Sequence, residues 1–475
     1  MDYIEGMDRR QTILLPETID DYISTENPVR FIEVFVEGLD LRELGFRHSD
    51  LKETGRPPYN PGDLLKMYIY GYLNKERSSR GLEREAGRNV ELMWLMRKLR
   101  PDFKTIADFR KDNKGAIRGV CREFTMLCRQ MDLFGGEIVA IDGSKFRAVN
   151  SKKRNFNEKK FKRSIKDIED KIDKYLDEMD ENDRKEEGVK RSSKEDIEAA
   201  IEKLKERKGK YKDLLKEMKE RGDRQVSLTD PDSRLMKKGC GTEVSYNVQT
   251  VVDDKHKLIV GHEVTNEGHD SHQLSKMAKM AKETLGVDRL EVLVDKGYYD
   301  SWEIKECEDN GIEVYVEEKR SKSEGKNIYH ESYFRYDSGQ DIYICPAKKE
   351  MRCTGRRRER NNRVTKVYSA RGCKRCELKD RCTEDRRGRR IYRWEHEDVL
   401  DKVRHRMKMN RDKMKMRQML IEHPFGTIKR AMNQGYMLMR RLENVRGEFS
   451  LTVLAYNIKR VMNIIGVKDL VKELA

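Results

Sequence analysis

Three acidic residues stand where a carboxylate can do chemistry. Asp142 ends the apolar run Ile138-Val139-Ala140-Ile141 and is followed by Gly143-Ser144-Lys145. Asp295 ends Leu290-Glu291-Val292-Leu293-Val294 and is followed by Lys296-Gly297. Each run reads as a short buried strand with the aspartate at its exit. A carboxylate there is held firmly yet reaches solvent, as a metal ligand or an acid/base group must. Glu422 lies in Met419-Leu420-Ile421-Glu422-His423-Pro424-Phe425-Gly426-Thr427-Ile428-Lys429, which reads as a helix start or an irregular helix. Taken singly, an aspartate at a strand end is a turn former or a cap. Three carboxylates that converge can hold two divalent ions, and hard oxygen ligands suit Mg²⁺ or Mn²⁺. Two such ions about 3.5–4 Å apart stabilise the attacking and leaving oxygens of in-line phosphoryl displacement.

A second group of residues points to a different metal. The chain has 9 cysteines, an odd number, clustered late. That argues against a disulfide framework and for metal or free thiols. Cys373 and Cys376 form a Cys-x2-Cys pair, with Cys345 before it and Cys382 after it. These four suit a tetrahedral structural zinc site, with Cys353 as a spare or substitute. Reduced thiols in a basic loop are the alternative.

The elements that must position these groups follow from pattern. Residues from about 10 to 130 read as helical. Val29 to Val36 and Leu64 to Leu73 carry apolar positions at helical spacing, with Gly55-Arg56-Pro57-Pro58-Tyr59-Asn60-Pro61 as a rigid basic turn. A serine of Arg77-Ser78-Ser79-Arg80 stands as N-cap before Leu82 and Glu83. Helices follow over Val90 to Leu99 and from Thr105 through Phe109 to Cys128. Short helices joined by basic turns suit a helix-turn-helix-like DNA-binding module, or else a bundle packed on the rest. From Lys152 to Arg224 charged residues dominate. Ile165, Ile168, Ile172, Tyr175, Leu176 and Met179 mark one amphipathic helix; Ile197, Ile201, Leu204, Tyr211, Leu214, Leu215 and Met218 mark another. A polar segment from Asp180 to Ser193 separates them, which makes a helical hairpin inserted after the first strand. It serves as a charged spacer or a DNA-facing arm.

Alternation at Val244, Tyr246, Val248, Thr250 and Val252, and again from Leu258 to Val264, predicts a β-hairpin. A helix from about His272 to Thr284, the Asp295 strand, a helix over Ile304 to Cys307 and a strand from Ile312 to Val316 complete a mixed α/β core. Val399 to Leu420 and Phe449 to Arg460 are helical.

Composition sets outer bounds. The 475 residues suffice for two or three domains. Charged residues make up 40%, and 102 Lys and Arg against 86 Asp and Glu leave a net charge of +16. That balance suits a polyanionic partner, or else a solvated surface on an ordinary protein. No apolar run approaches the roughly 18 residues of a membrane span. Met1-Asp2-Tyr3-Ile4-Glu5-Gly6 lacks a signal-peptide pattern, so a prokaryotic cytoplasmic location is expected.

With these residues in hand, the chain resembles the DDE transposases of bacterial insertion sequences over nearly its full length. Ala140-Ile141-Asp142-Gly143-Ser144 looks like the first aspartate motif of that family, and Val294-Asp295-Lys296-Gly297-Tyr298 like the second. Glu422 to Lys429, a glutamate followed seven positions later by lysine, looks like the third. Tyr246-Asn247-Val248-Gln249-Thr250, the late cysteines and Leu454-Ala455-Tyr456-Asn457-Ile458-Lys459-Arg460 are similar to one branch. Related families often carry an arginine four positions before the glutamate. Here that position is Gln418, and Arg417 stands five before. Glu448 is the competing third carboxylate.

The resemblance implies a ribonuclease-H-like mixed-sheet core with Asp142, Asp295 and Glu422 as catalytic, Mg²⁺- or Mn²⁺-binding residues. It implies DNA strand cleavage and transfer at element ends, with Lys429, Arg417, Lys296 and Lys145 contacting DNA, a dimer on DNA, and association with the nucleoid. The expected division is a helical N-terminal, DNA-binding domain over 1–130 and a catalytic core over 131–150, 226–340 and 395–475. A charged helical insertion occupies 151–225, and a cysteine-rich basic insertion 341–394. Two other readings use the same scaffold: a DNA-binding regulator that does not cleave, and a nuclease that does not join.

Overall fold

The structure is a computed structural model that describes residues 17–50, 57–184, 194–239, 241–318, 328–360 and 363–474. Met1 to Glu5, Gly55, Arg56, the segment 185–193 and the Met179 side chain lie outside the described residues.

Five strands form the centre: β1 (Ile138–Arg147), β2 (Gly241–Asp253), β3 (Ile259–Thr265), β4 (Leu290–Leu293) and β5 (Ile312–Tyr315). Their order is β3-β2-β1-β4-β5. β1 pairs antiparallel with β2, and β2 with β3; β1 pairs parallel with β4, and β4 with β5. The short strand Arg234–Lys238 extends the antiparallel side along the start of β2. Helix Leu274–Leu285 leads from β3 to β4, and helix Ser301–Asp309 from β4 to β5. That order and polarity make the core ribonuclease-H-like.

Val139, Ala140 and Ile141 of β1 are wholly buried, as a central strand between two others must be. One expectation needs correction. Asp142 is not at the end of β1. The pairing of β1 with β4 stops at Ala140, where β4 ends, but pairing with β2 continues to Arg147. The apolar run stops with one partner strand while the hydrogen-bond ladder goes on with the other.

The N-terminal helices Pro28–Glu37, Pro61–Leu73, Ser79–Glu85, Val90–Leu95, Phe103–Asp112 and Lys114–Gln130 share one continuous apolar core with the sheet. Asn60 caps Pro61–Leu73 with Pro61 in its first turn, and Ser78 caps Ser79–Glu85 by accepting from the Gly81 N–H. The single helix expected from Thr105 to Cys128 is two. Asn113 ends one and begins the next, and its side chain donates back to the Phe109 carbonyl. Val399 to Leu420 likewise divides into Glu397–Met409 and Asp412–Gly426.

Helix Leu442–Ile465 joins the two regions, packing on Pro61–Leu73, Lys114–Gln130 and β3. Its Phe449 meets Phe146 of β1 edge-on at 5.1 Å. Asn457 both accepts from the Ile259 N–H and donates to the Ile259 carbonyl, each at 2.9 Å, and so occupies backbone groups of β3.

Two insertions have cores of their own. Helices Glu158–Arg184 and Lys194–Glu220 form the expected hairpin around Phe161, Ile168, Ile172, Ile197, Ile201 and Tyr211. The cysteine-rich segment is a five-stranded antiparallel sheet running from Arg335 to Trp394, which no alternation in the sequence announced.

Candidate active site

β1 and β4 run side by side in parallel, with Ala140 opposite Leu293. Two residues further on that pairing has ended: Asp142 continues along β1 and Asp295 opens the turn after β4, near enough for its charge to act on Asp142. Asp295 turns the chain: its side chain accepts from the Gly297 N–H at 2.7 Å and caps the turn Lys296–Tyr298. Asp142 accepts from the Gly143 N–H at 2.8 Å and faces Arg417, whose Nη1 lies 3.5 Å from its Oδ2. Burial pushes the Asp142 carboxyl up to about 6. Arg417 opposes that rise, and the neighbouring charges of Asp295 and Asp270 add to it.

Alternation along β1 divides its polar residues between two faces. Asp142 and Ser144 meet the helix Asp412–Gly426 and the turn after it. That helix contains Pro424, which lacks an N–H, and widens into a π turn over Thr427–Ala431. The turn directs Lys429 onto β1. Its Nζ donates to Ser144 Oγ and, at 3.2 Å, to the Lys145 carbonyl. It also stands 4.6 Å from the centre of the Phe146 ring. Burial, with Lys238 nearby, lowers the Lys429 ammonium to about 8.

Gly143 and Lys145 serve the other face. Asp270 Oδ1 accepts from Asn247 Nδ2 and Gln249 Nε2, both at 2.7 Å, and its Oδ2 lies 3.9 Å from Lys145 Nζ. Gln249 in turn accepts from the Tyr298 hydroxyl, which is wholly buried. A Cβ on Gly143 would stand 2.4 Å from both Asp270 Oδ1 and Gln249 Nε2. The absent side chain at Gly143 is what lets Asp270 approach the strand.

Asp142, Asp295, Arg417, Lys429 and Lys145 therefore gather around β1, and Lys296 is exposed beside Asp295. Glu422 is exposed on the Arg417 helix, and Gln418 Nε2 donates to it at 2.7 Å. Among the described residues, no group of three His, Cys, Asp or Glu side chains is close enough to hold a metal ion. Glu448 is wholly buried and accepts from the Leu438 and Met439 N–H groups.

Asp270 escaped the sequence reading because no apolar strand leads into it. A signal was present across the sheet. Asn247 and Gln249 are amides on either side of Val248 in a strand whose residues from Val244 to Asp253 are all buried, and buried amides require a partner.

The cysteines Cys345, Cys373, Cys376 and Cys382 line one cavity, and Cys353 lies outside it, exposed.

Comparison with known families gives two matches, one toward each end of the chain. The model described as "Transposase domain (DUF772)" matches residues 17–112. The model described as "Transposase DDE domain" matches residues 344–462, a span that contains Glu422 and Lys429 but neither aspartate. No curated protein matches the chain. Among solved structures, a cryo-EM structure of the piggyBac transposase synaptic complex with hairpin DNA aligns at 10% identity and a TM-score of 0.35, over 94% of this chain and 79% of that one. With one transposase-domain model toward each end and a ribonuclease-H-like sheet between them, the chain is similar to the DDE-type transposases.

Proposed function

We propose that the protein cuts DNA at the ends of an insertion sequence and joins those ends to target DNA, with Asp142, Asp295 and Glu422 as its metal-binding carboxylates. The observation that supports this reading is that Asp142 and Asp295 lie just beyond the parallel pairing of neighbouring strands, closely enough for the charge of one to act on the other. Two neighbouring acids, one of them half-buried and raised to about 6, concentrate negative charge that a divalent cation would offset. Their oxygens are hard ligands suited to Mg²⁺ or Mn²⁺. Glu422 adds a third carboxylate from the helix that already reaches Asp142 through Arg417, about 7.5 Å further along its axis. Bound there, divalent ions would supply the charge that activates water or a 3′-hydroxyl and stabilises the leaving 3′-oxygen.

The chain's own residues hold the substrate and tune the acids. Arg417 keeps Asp142 ionisable. Lys429, drawn onto β1 by Ser144, presents a cation to a scissile-strand phosphate, and Lys145 and Lys296 extend that charge along the backbone. Two chains would act together, one for each element end.

The test is cleavage and joining of terminal inverted-repeat DNA with Mg²⁺. Asp142→Ala and Asp295→Ala are expected to abolish both. Full activity in Asp142→Ala would end the assignment, and cleavage without joining would leave a nuclease.

A further inference from the structure

The cysteine-rich sheet has a stability problem of its own. Among the described residues its apolar cluster has five buried members, Phe334, Tyr343, Met351, Tyr368 and Ile391. A module that small is usually fastened by disulfides or a metal. Its cysteines form no disulfide.

They lie around one cavity instead, without three of them being near enough to hold a metal ion as they stand. Cys345, Cys373, Cys376 and Cys382 come from three separate chain segments and line one cavity of about 20 Å³, room for a single water-sized guest. The backbone is shaped around each. Cys345 opens a tight turn in which Lys348 is left-handed (φ +57°) and the Lys349 N–H donates to Cys345 Sγ at 3.3 Å. Cys373 and Cys376 follow the left-handed Gly372 (φ +76°). Gly388 crosses Cys373 so closely that a Cβ there would lie 2.6 Å from the Cys373 Cβ. Cys382 ends the short helix Lys379–Cys382. Lys349, Lys379 and Arg389 line the same cavity, cations suited to balance a site of net charge −2.

We propose that Cys345, Cys373, Cys376 and Cys382 bind one structural Zn²⁺ that fastens this sheet. Four S–H bonds are exchanged for four Zn–S bonds, four protons leave, and nothing is oxidised or reduced. Soft sulfur ligands separate this site from the hard carboxylates near β1. An iron–sulfur cluster also takes four cysteines, and the metal and sulfide content of the protein distinguishes the two.

The full chain, purified without chelator, should carry about one zinc, and cobalt exchanged into it should give the intense visible absorption of a tetrahedral thiolate site. Cys373→Ser with Cys376→Ser should lose the metal, and Cys353→Ser should keep it. Because the double variant can misfold, the unaltered chain supplies an independent readout. A strong chelator should lower its unfolding temperature, and zinc should restore it. Absence of zinc together with absence of the cobalt absorption overturns the proposal. So does iron with sulfide in place of zinc, or loss of metal in Cys353→Ser. None of these readouts uses DNA, so the zinc site stands or falls apart from the catalytic reading.

Discussion

Arg417 Nη1 lies 3.5 Å from Asp142 Oδ2, so a residue outside the acidic set favours the charged form of Asp142 against its burial. The sequence left this arginine one place off the position expected for it. In the fold, Gln418 takes the contact with Glu422, and Arg417, one residue earlier, turns to the sheet. Removing the guanidinium should therefore act through Asp142. Arg417→Met should move the acidic limb of the cleavage pH profile upward by about one unit, equivalent to about 1.4 kcal/mol, and Arg417→Lys should recover most of the shift. An unmoved limb in Arg417→Met would separate Arg417 from the ionisation of Asp142.

Asp142 gives the chain a distinctive pH response. Its folded value of about 6 lies above its ordinary 3.8, so the folded state binds the proton more tightly between the two. The stability this adds is complete below about 3.8 and is lost as pH rises through about 6. With the side chain 26% exposed, the effect is about 2 kcal/mol after allowance for solvent. Divalent ions need the carboxylate, so their binding runs the other way. Mn²⁺ affinity should rise by up to about tenfold per pH unit below 6 and level off above it. Calorimetric metal titrations across this interval check the slope, and Asp142→Asn should flatten it.

The network behind β1 predicts coupled losses. Asp270→Ala strips Asn247 and Gln249 of their shared acceptor, and a buried donor left unpaired costs about 1–3 kcal/mol. Gly143→Ala pushes a methyl group into the same two side chains. Because both changes break one network, the double variant should lose clearly less stability than the two single losses added together. Urea unfolding midpoints of the four proteins decide this, and simple additivity would show that the contacts are independent.

The sequence carries some parts of this molecule openly and hides others. Asp142 and Asp295 were legible because an apolar run stops at each. The hairpin around Phe161 and Ile197 was legible because two long helices repeat their apolar positions. The cysteine-rich sheet was not. Its strands carry arginines at exposed positions of Glu350–Arg360, and charge on both sides of a strand hides the period of two. Asp270 and Tyr298 reach the site only through pairings between distant segments, which local pattern does not encode. Asp142 was misjudged as a strand end because hydrophobicity follows burial, whereas β1 ends where its ladder with β2 ends.

Glu422 and Glu448 compete for the third acidic place, and their surroundings predict opposite phenotypes. Glu448 is wholly buried. Its carboxylate takes N–H groups from Leu438 and Met439 at 2.8–3.0 Å, and Arg77, itself 5% exposed, stands 3.6 Å away. Glu448→Ala would leave a buried guanidinium without its counter-charge, a loss of about 3–5 kcal/mol that should lower the unfolding temperature sharply. Glu422 has no comparable structural duty among the described residues, since it is exposed and accepts a hydrogen bond there from Gln418. Glu422→Gln should change stability by no more than about 0.5 kcal/mol and still abolish DNA cleavage. Thermal unfolding and cleavage measured on the same two preparations separate the roles. A stable, inactive Glu422→Gln beside an unstable Glu448→Ala assigns the third carboxylate to Glu422. A fully active Glu422→Gln would move the assignment elsewhere, with Asp270, already within the field of Asp142, the next acid to test.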